Sequence, residues 1–427
     1  IHPTVIAKGY MLAANKAQVI LNEIGESVTE KDTAILQKIA ETAMTGKGAE
    51  YEKEKLSRIA CDAVKKVMDK QGSSISISMD NIKIEKKVGA GIEDTTLIDG
   101  IVLDKERVHS GMPISVKNAK ILLVDSALEI KNTETEAKIQ ITDPEKMQSF
   151  LDMEEKMIRN MVDKVVKTGA GVVFCQKGID DIAQHLLAKK GMYASRRVSK
   201  SDMEKLERAT GGRIVTSLDD ISAKDLGFAG LVEERKTGDE SMTYVMQCTN
   251  PKAVTILIRG GSEHVIDEIK RAMEDAIGDV SAALKVGKIV GGAGSVEAEL
   301  AKQLRKFADT LNGREQLAVQ AFADSIEVIP RTLAENAGLD PIDVLTEIKA
   351  AHEKGRKWAG IDVFSGKVID ALKEGVIEPL KIKTQAIKSA SEVSIMILRI
   401  DDVIASSSSG KETPQMPQGM GGGMPEY

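Results

Sequence analysis

The apolar residues in roughly the first 70 positions recur at the spacing of amphipathic helices. The clearest case is the segment that follows His2-Pro3. One face of its predicted helix carries Ile6, Tyr10, Ala13, Ala17, Ile20, Leu21 and Ile24. Ser27, Thr29 and Asp32 offer caps between successive helices. We therefore predict a helical beginning whose apolar face needs a packing partner.

From Ser73 onwards the pattern changes to the alternation that is typical of strands, and we predict strands near 74–78, 82–85, 101–103 and 121–124. Thr142 and Glu145 then form a capping box around Pro144, which predicts a long helix. The apolar groups of this helix cover more of its circumference than one core contact requires. They are Met147, Phe150, Leu151, Met153, Met157, Ile158, Met161, Val162 and Val165.

Strand and helix patterns alternate after this helix, as in an α/β unit. Strands are predicted at 171–174, 212–215, 244–246 and 254–261, and helices at 180–188 and 263–283. The pattern is then almost wholly helical to Glu347, and a β-type run follows at 394–400. Beyond Ser406 the Ser/Gly/Pro/Met-rich end has too little apolar bulk to fold. The order of helical, mixed and helical segments indicates a central domain inserted into a helical one, whose two flanks pack together.

Composition narrows the class of protein. A chain of 427 residues, with 42% hydrophobic and 29% charged residues, predicts two to four folded, water-soluble domains. A net charge of -6, no sustained basic run and 3% aromatic residues argue against a nucleic-acid partner. No apolar run reaches the ~20 residues that span a bilayer, so the membrane is not implicated.

The cysteines give no sign of a disulfide framework or a metal site. Cys61, Cys175 and Cys248 are odd in number and far apart, which suits a reducing cytoplasm and predicts buried apolar side chains. No Ser/His/Asp or Cys/His arrangement supports acyl-transfer or thiol chemistry.

A glycine-rich turn is the strongest chemical signal that the residues carry on their own. Gly291, Gly292 and Gly294 precede a predicted helix, where backbone N–H groups can approach an anion. The turn lacks the Lys-Ser/Thr of a Walker loop, and no predicted strand precedes it as a dinucleotide-dependent dehydrogenase would need. A nucleotide-binding turn and a tight helix–helix turn therefore both remain open.

Two carboxylates are ambiguous by pattern alone. Asp275 lies beside the buried face of a predicted helix, where a solvated acid is the simpler interpretation. Glu378, in a Gly-Val-Ile-Glu-Pro segment, is by the same default a turn carboxylate. The residues alone thus lead to a multidomain protein with a possible anion site.

Three long strings carry a more specific signal. They are KVGAGIEDTTLIDGIVLDKERVHSGMP from Lys87, GREQLAVQAFADSIEVIPRTLAENAGLDPIDVL from Gly313, and EPLKIKTQAIKSASEVSIMILRIDDVIA from Glu378. Together with the Gly/Met-rich end, these strings strongly resemble group II chaperonin subunits, the archaeal thermosome and its eukaryotic cytosolic relatives. The resemblance runs from Ile1 to about Ala405.

The resemblance implies a multidomain α and α/β chaperonin architecture. A helical equatorial ATPase domain is split by an intermediate hinge domain, itself split by an α/β apical domain with a helical protrusion. The implied boundaries are 1–28 and 285–405 for the equatorial domain, 29–95 and 248–284 for the intermediate domain, 96–247 for the apical domain with a lid at about 142–168, and 406–427 for a disordered tail.

The resemblance also implies a function, which is ATP-dependent folding of non-native proteins in a cytoplasmic double ring of identical or paralogous subunits. The lid helix would close the cage and offer an adaptable apolar surface to unfolded polypeptide clients. Its implied client-binding residues are Met147, Phe150, Leu151, Met157 and Ile158.

Site residues follow from the resemblance where the motifs match. Asp275 would orient or activate the water that attacks the γ-phosphate of ATP. Gly291, Gly292 and Gly294 fall on the nucleotide turn, in which Ala293 replaces a glycine and could crowd the ribose or the base edge. The other implied nucleotide contacts are Asp362 and Val363, which would wall the base, and Glu378, which would reach the ribose hydroxyls.

One family motif has no match. The Gly-Asp-Gly-Thr-Thr phosphate loop, whose Asp binds Mg²⁺, lies in the N-terminal equatorial region of the family, so we assign no metal ligand here and expect the chain to lack that region. Two hypotheses follow. The chain is either part of a complete ATPase subunit or an ATPase-deficient fragment that only holds apolar polypeptide. In the second case we expect the helix from His2 to Ile24 to lack partners, and the apical unit alone to fold.

Overall fold

The computed structural model of the chain describes residues 1–72, 74–130, 144–237, 240–249 and 251–400. The helices of this part are α1 (Pro3–Ile24), α2 (Thr33–Met44), α3 (Lys53–Val67), α4 (Pro144–Lys167), α5 (Asp181–Lys189), α6 (Lys200–Thr210), α7 (Glu263–Val286), α8 (Ser295–Ala308), α9 (Glu315–Ile326), α10 (Val328–Asn336), α11 (Pro341–Glu353) and α12 (Leu380–Leu398).

Short strands supplement the helices. They are β1 (Glu26–Ser27), β2 (Met68–Gln71), β3 (Ser74–Ile77), β4 (Ile82–Val88), β5 (Thr96–Ile98), β6 (Gly100–Leu103), β7 (Ser115–Val124), β8 (Val172–Cys175), β9 (Tyr193–Ser195), β10 (Ile214–Val215), β11 (Gly227–Thr237), β12 (Glu240–Met246), β13 (Val254–Gly260), β14 (Lys288–Gly291), β15 (Ala359–Asp362), β16 (Lys367–Asp370) and β17 (Ile377–Pro379).

The first and last parts of the chain pack into one helical body. α1 lies against α9 and α12, and its Ala13, Ala17, Ile20 and Leu21 are fully buried with side chains of α8 and α9. The expectation that this face of α1 lacks a partner is therefore wrong. Small alanines let the helices approach closely, so the face is covered by elements from more than 270 positions later in the sequence.

A second core joins α2, α3 and α7 to a three-stranded sheet of order β4-β13-β5. β13 pairs in parallel with β4 and antiparallel with β5, so segments on both sides of the central insertion share one sheet. α7 lies in this core along most of its length and leads directly into β14. It thus connects the middle of the molecule to the helical body.

The inserted unit is built on a sheet of order β6-β12-β11-β7-β8-β9, with β10 also paired to β7. Alternate residues of β7 enter different cores, as the pleat requires. Ile121 and Leu123 pack with α6, whereas Leu122 and Val124 pack with α4 and α5. Helices therefore cover both faces of this sheet, which is the predicted α/β arrangement.

Most predicted strands and helices are confirmed, and two segments differ. Residues 394–398, predicted as a β-type run, continue α12 to Leu398, because extending an existing helix is much less costly than nucleating a new element. The predicted helical stretch after α7 is interrupted by β14. The predicted capping box at Thr142 and the Ser/Gly/Pro/Met-rich tail lie outside the described residues.

Among the described helices, none is both long enough and apolar enough to cross a bilayer.

Candidate functional site

A small antiparallel sheet brings distant parts of the chain together. β14 lies between β1 and β17, and Glu378 is directly opposite Val290. β14 ends at Gly291, so the expectation that no strand precedes the glycine-rich turn is wrong. This strand is antiparallel to both neighbours, however, and therefore does not open the parallel βαβ unit of a dinucleotide-binding domain.

The turn between β14 and α8 has an unusual backbone. Gly294 has a φ of 74°, and a Cβ there would lie 2.6 Å from Cβ of Pro330. Ala293 also has a positive φ, of 56°, although it carries a side chain. This left-handed conformation costs an L-residue about 1–2 kcal/mol. The amide of Ser295 donates to the carbonyl of Gly292 at 3.0 Å and starts α8.

β15 holds the turn in place. The amide of Ile361 donates to the carbonyl of Ala293 at 3.0 Å. Gly360 lies so close to the same carbonyl that a Cβ would be 2.7 Å from its oxygen. The loop that follows β15 is thereby placed beside the glycine-rich turn.

Asp362 stabilises that loop. Its carboxylate accepts hydrogen bonds from the amide of Phe364 at 3.0 Å and from the hydroxyl of Ser365 at 2.5 Å. The Ser365 hydrogen bond lowers the pKa of Asp362 from its ordinary value. Val363 and Phe364 are left 38% and 82% exposed. Phe364 is absent from the predicted site, although a large aromatic residue in a polar loop was a usable signal.

Glu378 stands over the turn with its two oxygens in different environments. Oε2 accepts a hydrogen bond from Nζ of Lys383 at 2.6 Å. Oε1 lies over Gly292, where a Cβ would be only 2.8 Å from it. Burial raises the pKa of Glu378, and the charge of Lys383 opposes that rise. Oε1 is thus a hydrogen-bond acceptor held above a position that only glycine can occupy without displacement.

A cleft of about 520 Å³ opens in front of the turn. Of the predicted nucleotide-binding residues, Gly294, Asp362, Val363 and Glu378 line it. Apolar side chains form one wall, namely Ile329, Leu333, Ile361, Val363, Phe364 and Ile369. A volume of this size and a mixed lining are typical of small-ligand sites.

Gly291 and Gly292 are not among the residues that line the cleft. A Cβ on Gly291 would be 3.0 Å from Cε3 of Trp358 and 2.7 Å from Oγ of Ser295. The two glycines therefore allow β14 to approach Trp358 and Glu378 closely, and they do not themselves line the cleft.

The other side of the cleft comes from α2 and its surroundings, which contain no predicted site residue. The contributing residues are Lys38, Glu41, Thr42, Thr45 and Lys53. The hydroxyl of Thr42 accepts a hydrogen bond from the amide of Ile377 at 3.2 Å. The cleft therefore spans the helical body and the neighbouring core that contains α2.

Asp275 lies on α7 outside the cleft wall, with 57% of its side chain exposed and an ion pair to Lys47. Asp279 follows one helical turn later. Burial raises the pKa of Asp279 to about 6, and the negative charges of Glu378 and Asp275 raise it further. The charges of Glu378 and Asp275 thus both act on Asp279. Asp279 lies four residues after Asp275 and therefore on the same helix face, and this spacing is the signal that could have identified it.

The predicted client-binding residues of α4 divide into two sets. Phe150, Leu151 and Met157 are exposed, as is Met153. Ile158 is buried in the core beneath the helix, with 2% exposure, and is therefore not part of this surface. The reason is geometric, since α4 turns Ile158, Val162 and Val165 toward the sheet. The side chain of Met147 lies outside the described residues.

The cysteines are confirmed as buried. Burial raises the pKa of Cys61 to about 12 and those of Cys175 and Cys248 to about 11, so none has the thiolate character of a nucleophile. Within the described ranges, no three His, Cys, Asp or Glu side chains come together as a metal site.

Comparison with known proteins identifies close relatives. The sequence model of the TCP-1/cpn60 chaperonin family matches residues 1–408. Thermosome subunit beta of Archaeoglobus fulgidus is 61% identical over 426 residues, which cover 100% of this chain and 78% of that protein. The thermosome subunit of Methanopyrus kandleri is 60% identical over 405 residues, or 95% of this chain and 74% of that protein.

A solved structure shows the same fold. It is the open-state monomer of a group II chaperonin from Methanococcoides burtonii, with a TM-score of 0.71 and 48% sequence identity, and the match covers 94% of each chain.

Proposed function

The chain belongs to the TCP-1/cpn60 chaperonin family, and on that premise we propose that the cleft beside the glycine-rich turn is its nucleotide site. The protein is an ATP-dependent chaperonin subunit of a double-ring assembly, and it is an ATPase. The alternative of an ATPase-deficient fragment is not supported, because thermosome subunits are its relatives at 56–61% identity.

The position of Glu378 carries the assignment of the site. Oε1 of Glu378 would accept hydrogen bonds from the ribose hydroxyls, since it lies over Gly292 and Glu378 lines the cleft. Val363 and Phe364 would cover the base, because both are exposed apolar groups on the cleft wall. The backbone of the glycine-rich turn would then run beside the sugar and the first phosphate.

Asp275 is the proposed catalytic carboxylate. In hydrolysis, a water oxygen bonds to the γ-phosphorus while the bond from that phosphorus to the bridging oxygen breaks, and ADP leaves. Asp275 would orient the attacking water and accept its proton. Two observations support this role: Asp275 is accessible on α7, and its charge acts on Asp279 together with that of Glu378.

Mg²⁺ would accompany ATP, since Mg²⁺ usually binds through one or two carboxylates together with substrate phosphates. The described residues offer no cluster of metal ligands. We therefore assign no step of this chain's chemistry to the metal.

The apical surface would bind clients. The exposed Phe150, Leu151, Met153 and Met157 form an apolar stripe on α4 that suits exposed segments of unfolded polypeptide. We propose that α4 belongs to a built-in lid and that the ring contains identical or paralogous subunits in the cytoplasm. The occurrence of both alpha and beta relatives in Archaeoglobus fulgidus supports paralogues. The domain boundaries implied by the resemblance also stay a proposal, supported by the separate hydrophobic cores.

Trp358 provides the test, because it packs against Gly291 and is the one tryptophan of the sequence. ATP added to the assembled subunit should change its fluorescence and release phosphate. Glu378→Gln should weaken ATP binding by about tenfold, which corresponds to ~1.4 kcal/mol. Glu392→Gln, an exposed acid on α12, is the matched control. Equal affinities for ATP in the parent and in Glu378→Gln would contradict the assignment of this cleft as the nucleotide site.

A further inference from the structure

Lys383 lies between two carboxylates that come from different elements. Its Nζ is 2.6 Å from Oε2 of Glu378 on β17 and 2.7 Å from Oε1 of Glu297 in the first turn of α8. The side chains of Lys383, Glu297 and Glu378 are only 16%, 5% and 24% exposed. The glycine-rich turn immediately precedes the helix that carries Glu297. This triad therefore links α12, α8 and β17 at the cleft, which Glu378 and Lys383 line.

The charges of the triad do not cancel, since one ammonium faces two carboxylates. Burial raises the pKa of Glu378, Lys383 lowers it, and the negative charge of Glu297 raises it again. Burial lowers the pKa of Lys383, but the two carboxylates raise it by more, so its net pKa lies above the ordinary value and the ammonium stays charged. Without that ammonium, two partly buried carboxylates would face each other, an arrangement that is costly unless one of them takes up a proton.

The geometry separates the two oxygens of Glu378 by role. Lys383 holds Oε2, whereas Oε1 remains over Gly292. Glu297 does not line the cleft, and its contact with Lys383 keeps the ammonium in position from behind. A carboxylate held in this way can accept hydrogen bonds from two adjacent hydroxyls, and a protonated or rotated one accepts them less well.

We propose that Lys383 is a positioning residue that keeps Glu378 ionised and aimed into the cleft, and that it thereby sets the preference for ribonucleotides over 2′-deoxyribonucleotides. This inference rests on the proposed contact between Glu378 and the ribose. Lys383 lines the same cleft as Glu378, and its Nζ is engaged by the two carboxylates. The inference assigns its effect to Glu378, and the Glu378→Gln background described below tests that assignment.

The test compares the binding of ATP and 2′-deoxy-ATP to the assembled subunit. Lys383→Met should weaken ATP binding by about tenfold, equivalent to ~1.4 kcal/mol, and bring the ratio of the two affinities close to one. The loss should fall on KM, with kcat at saturating ATP nearly retained. Lys383→Arg keeps the charge and should retain most of the preference. Lys381→Met, an exposed lysine on the same helical turn, is the matched control and should bind like the parent.

A second variant separates the electrostatic effect of Lys383 from its contribution to packing. Adding Glu297→Gln to Lys383→Met removes the carboxylate that Lys383 no longer balances, so part of the ATP affinity should return. The pH profile should also change, because Lys383→Met should lose affinity more steeply as the pH falls and Glu378 takes up a proton. If Lys383→Met fails to fold, the affinities for ATP and 2′-deoxy-ATP are compared in the Glu297→Gln, Lys383→Met double variant. That variant keeps only one carboxylate without its partner.

The outcomes distinguish the positioning role of Lys383 from the proposed contact between Glu378 and the ribose. If Glu378→Gln loses the preference for ATP but Lys383→Met keeps it, the inference about Lys383 is wrong and the ribose contact stands. If Glu378→Gln itself keeps the preference, the ribose contact is wrong. Equal losses from Lys383→Met in the parent and in the Glu378→Gln background would mean that Lys383 acts independently of Glu378, and the inference would be wrong.

Discussion

Lys47, in the loop after α2, forms an ion pair with Asp275 on α7. The two residues are 228 positions apart, on opposite sides of the inserted unit. Their side chains are 37% and 57% exposed, and exposed ion pairs contribute only about 0–1 kcal/mol to stability. The pair therefore matters mainly for where it places the Asp275 carboxylate and which charge that carboxylate meets.

Asp275→Ala should reduce ATP turnover by roughly 10²-fold or more and leave ATP affinity nearly unchanged. Positioning of the attacking water stabilises mainly the transition state, so the substitution should lower kcat. Steady-state phosphate release and ATP titration measure the two quantities. Glu274→Ala, an exposed acid beside it, is the control. Parent-like turnover in Asp275→Ala would exclude this residue from the chemistry.

Lys47→Met should lower turnover several-fold, because Asp275 then loses the cation that holds it. The same change should leave the thermal midpoint nearly unchanged, since the pair is exposed. Phosphate release and a thermal scan test the two expectations together. Lys31→Met, at an exposed lysine in another loop, serves as the comparison. A large drop in the midpoint would instead make the pair a structural contact.

Ala293→Gly should stabilise the protein by about 1 kcal/mol, because glycine adopts the positive φ of 56° without strain. Gly294→Ala should destabilise it, since the new Cβ would lie 2.6 Å from Cβ of Pro330. Thermal unfolding of both variants measures the contrast. If Ala293→Gly lowers the midpoint, the turn is not strained in the folded protein.

Asp279→Asn should stabilise the protein at neutral pH and much less in acid. The folded pKa of about 6 lies above the ordinary 3.8, so burial of the charge costs stability fully above pH 6 and not at all below about pH 4. Asparagine removes that cost, by roughly 1–2 kcal/mol for a partly exposed group. Denaturant midpoints at several pH values measure it. A stabilisation that is the same across this range would contradict the assigned pKa.

Replacing Phe150 and Leu151 together by Ser should reduce binding of an unfolded client while ATP turnover persists, because both side chains are exposed on α4. Ile158→Ser should act differently and destabilise the inserted unit by about 2–5 kcal/mol, since Ile158 is a core residue. Client co-sedimentation and thermal scans separate the two effects. Undiminished client binding by the double variant would remove α4 from the client surface.

The sequence by itself determined the kinds of elements and their order. Periodicity near 3.6 identified α1, α4 and α7, and alternation identified β3 and β4, because each pattern depends only on which face of one element is buried. The same patterns indicated the insertion. The family resemblance further singled out Asp275, Glu378 and the glycine-rich turn.

The tertiary structure alone decided what surrounds those residues. Periodicity says that α1 has an apolar face but not that α12 covers it, and a β-type run could not reveal that α12 continues to Leu398. Likewise, the positive φ of Ala293, the position of Glu378 over Gly292 and the bridge from Lys383 to Glu297 arise from contacts between distant segments. Such contacts depend on how sheets and helices pack in three dimensions, and no local pattern of residues encodes them.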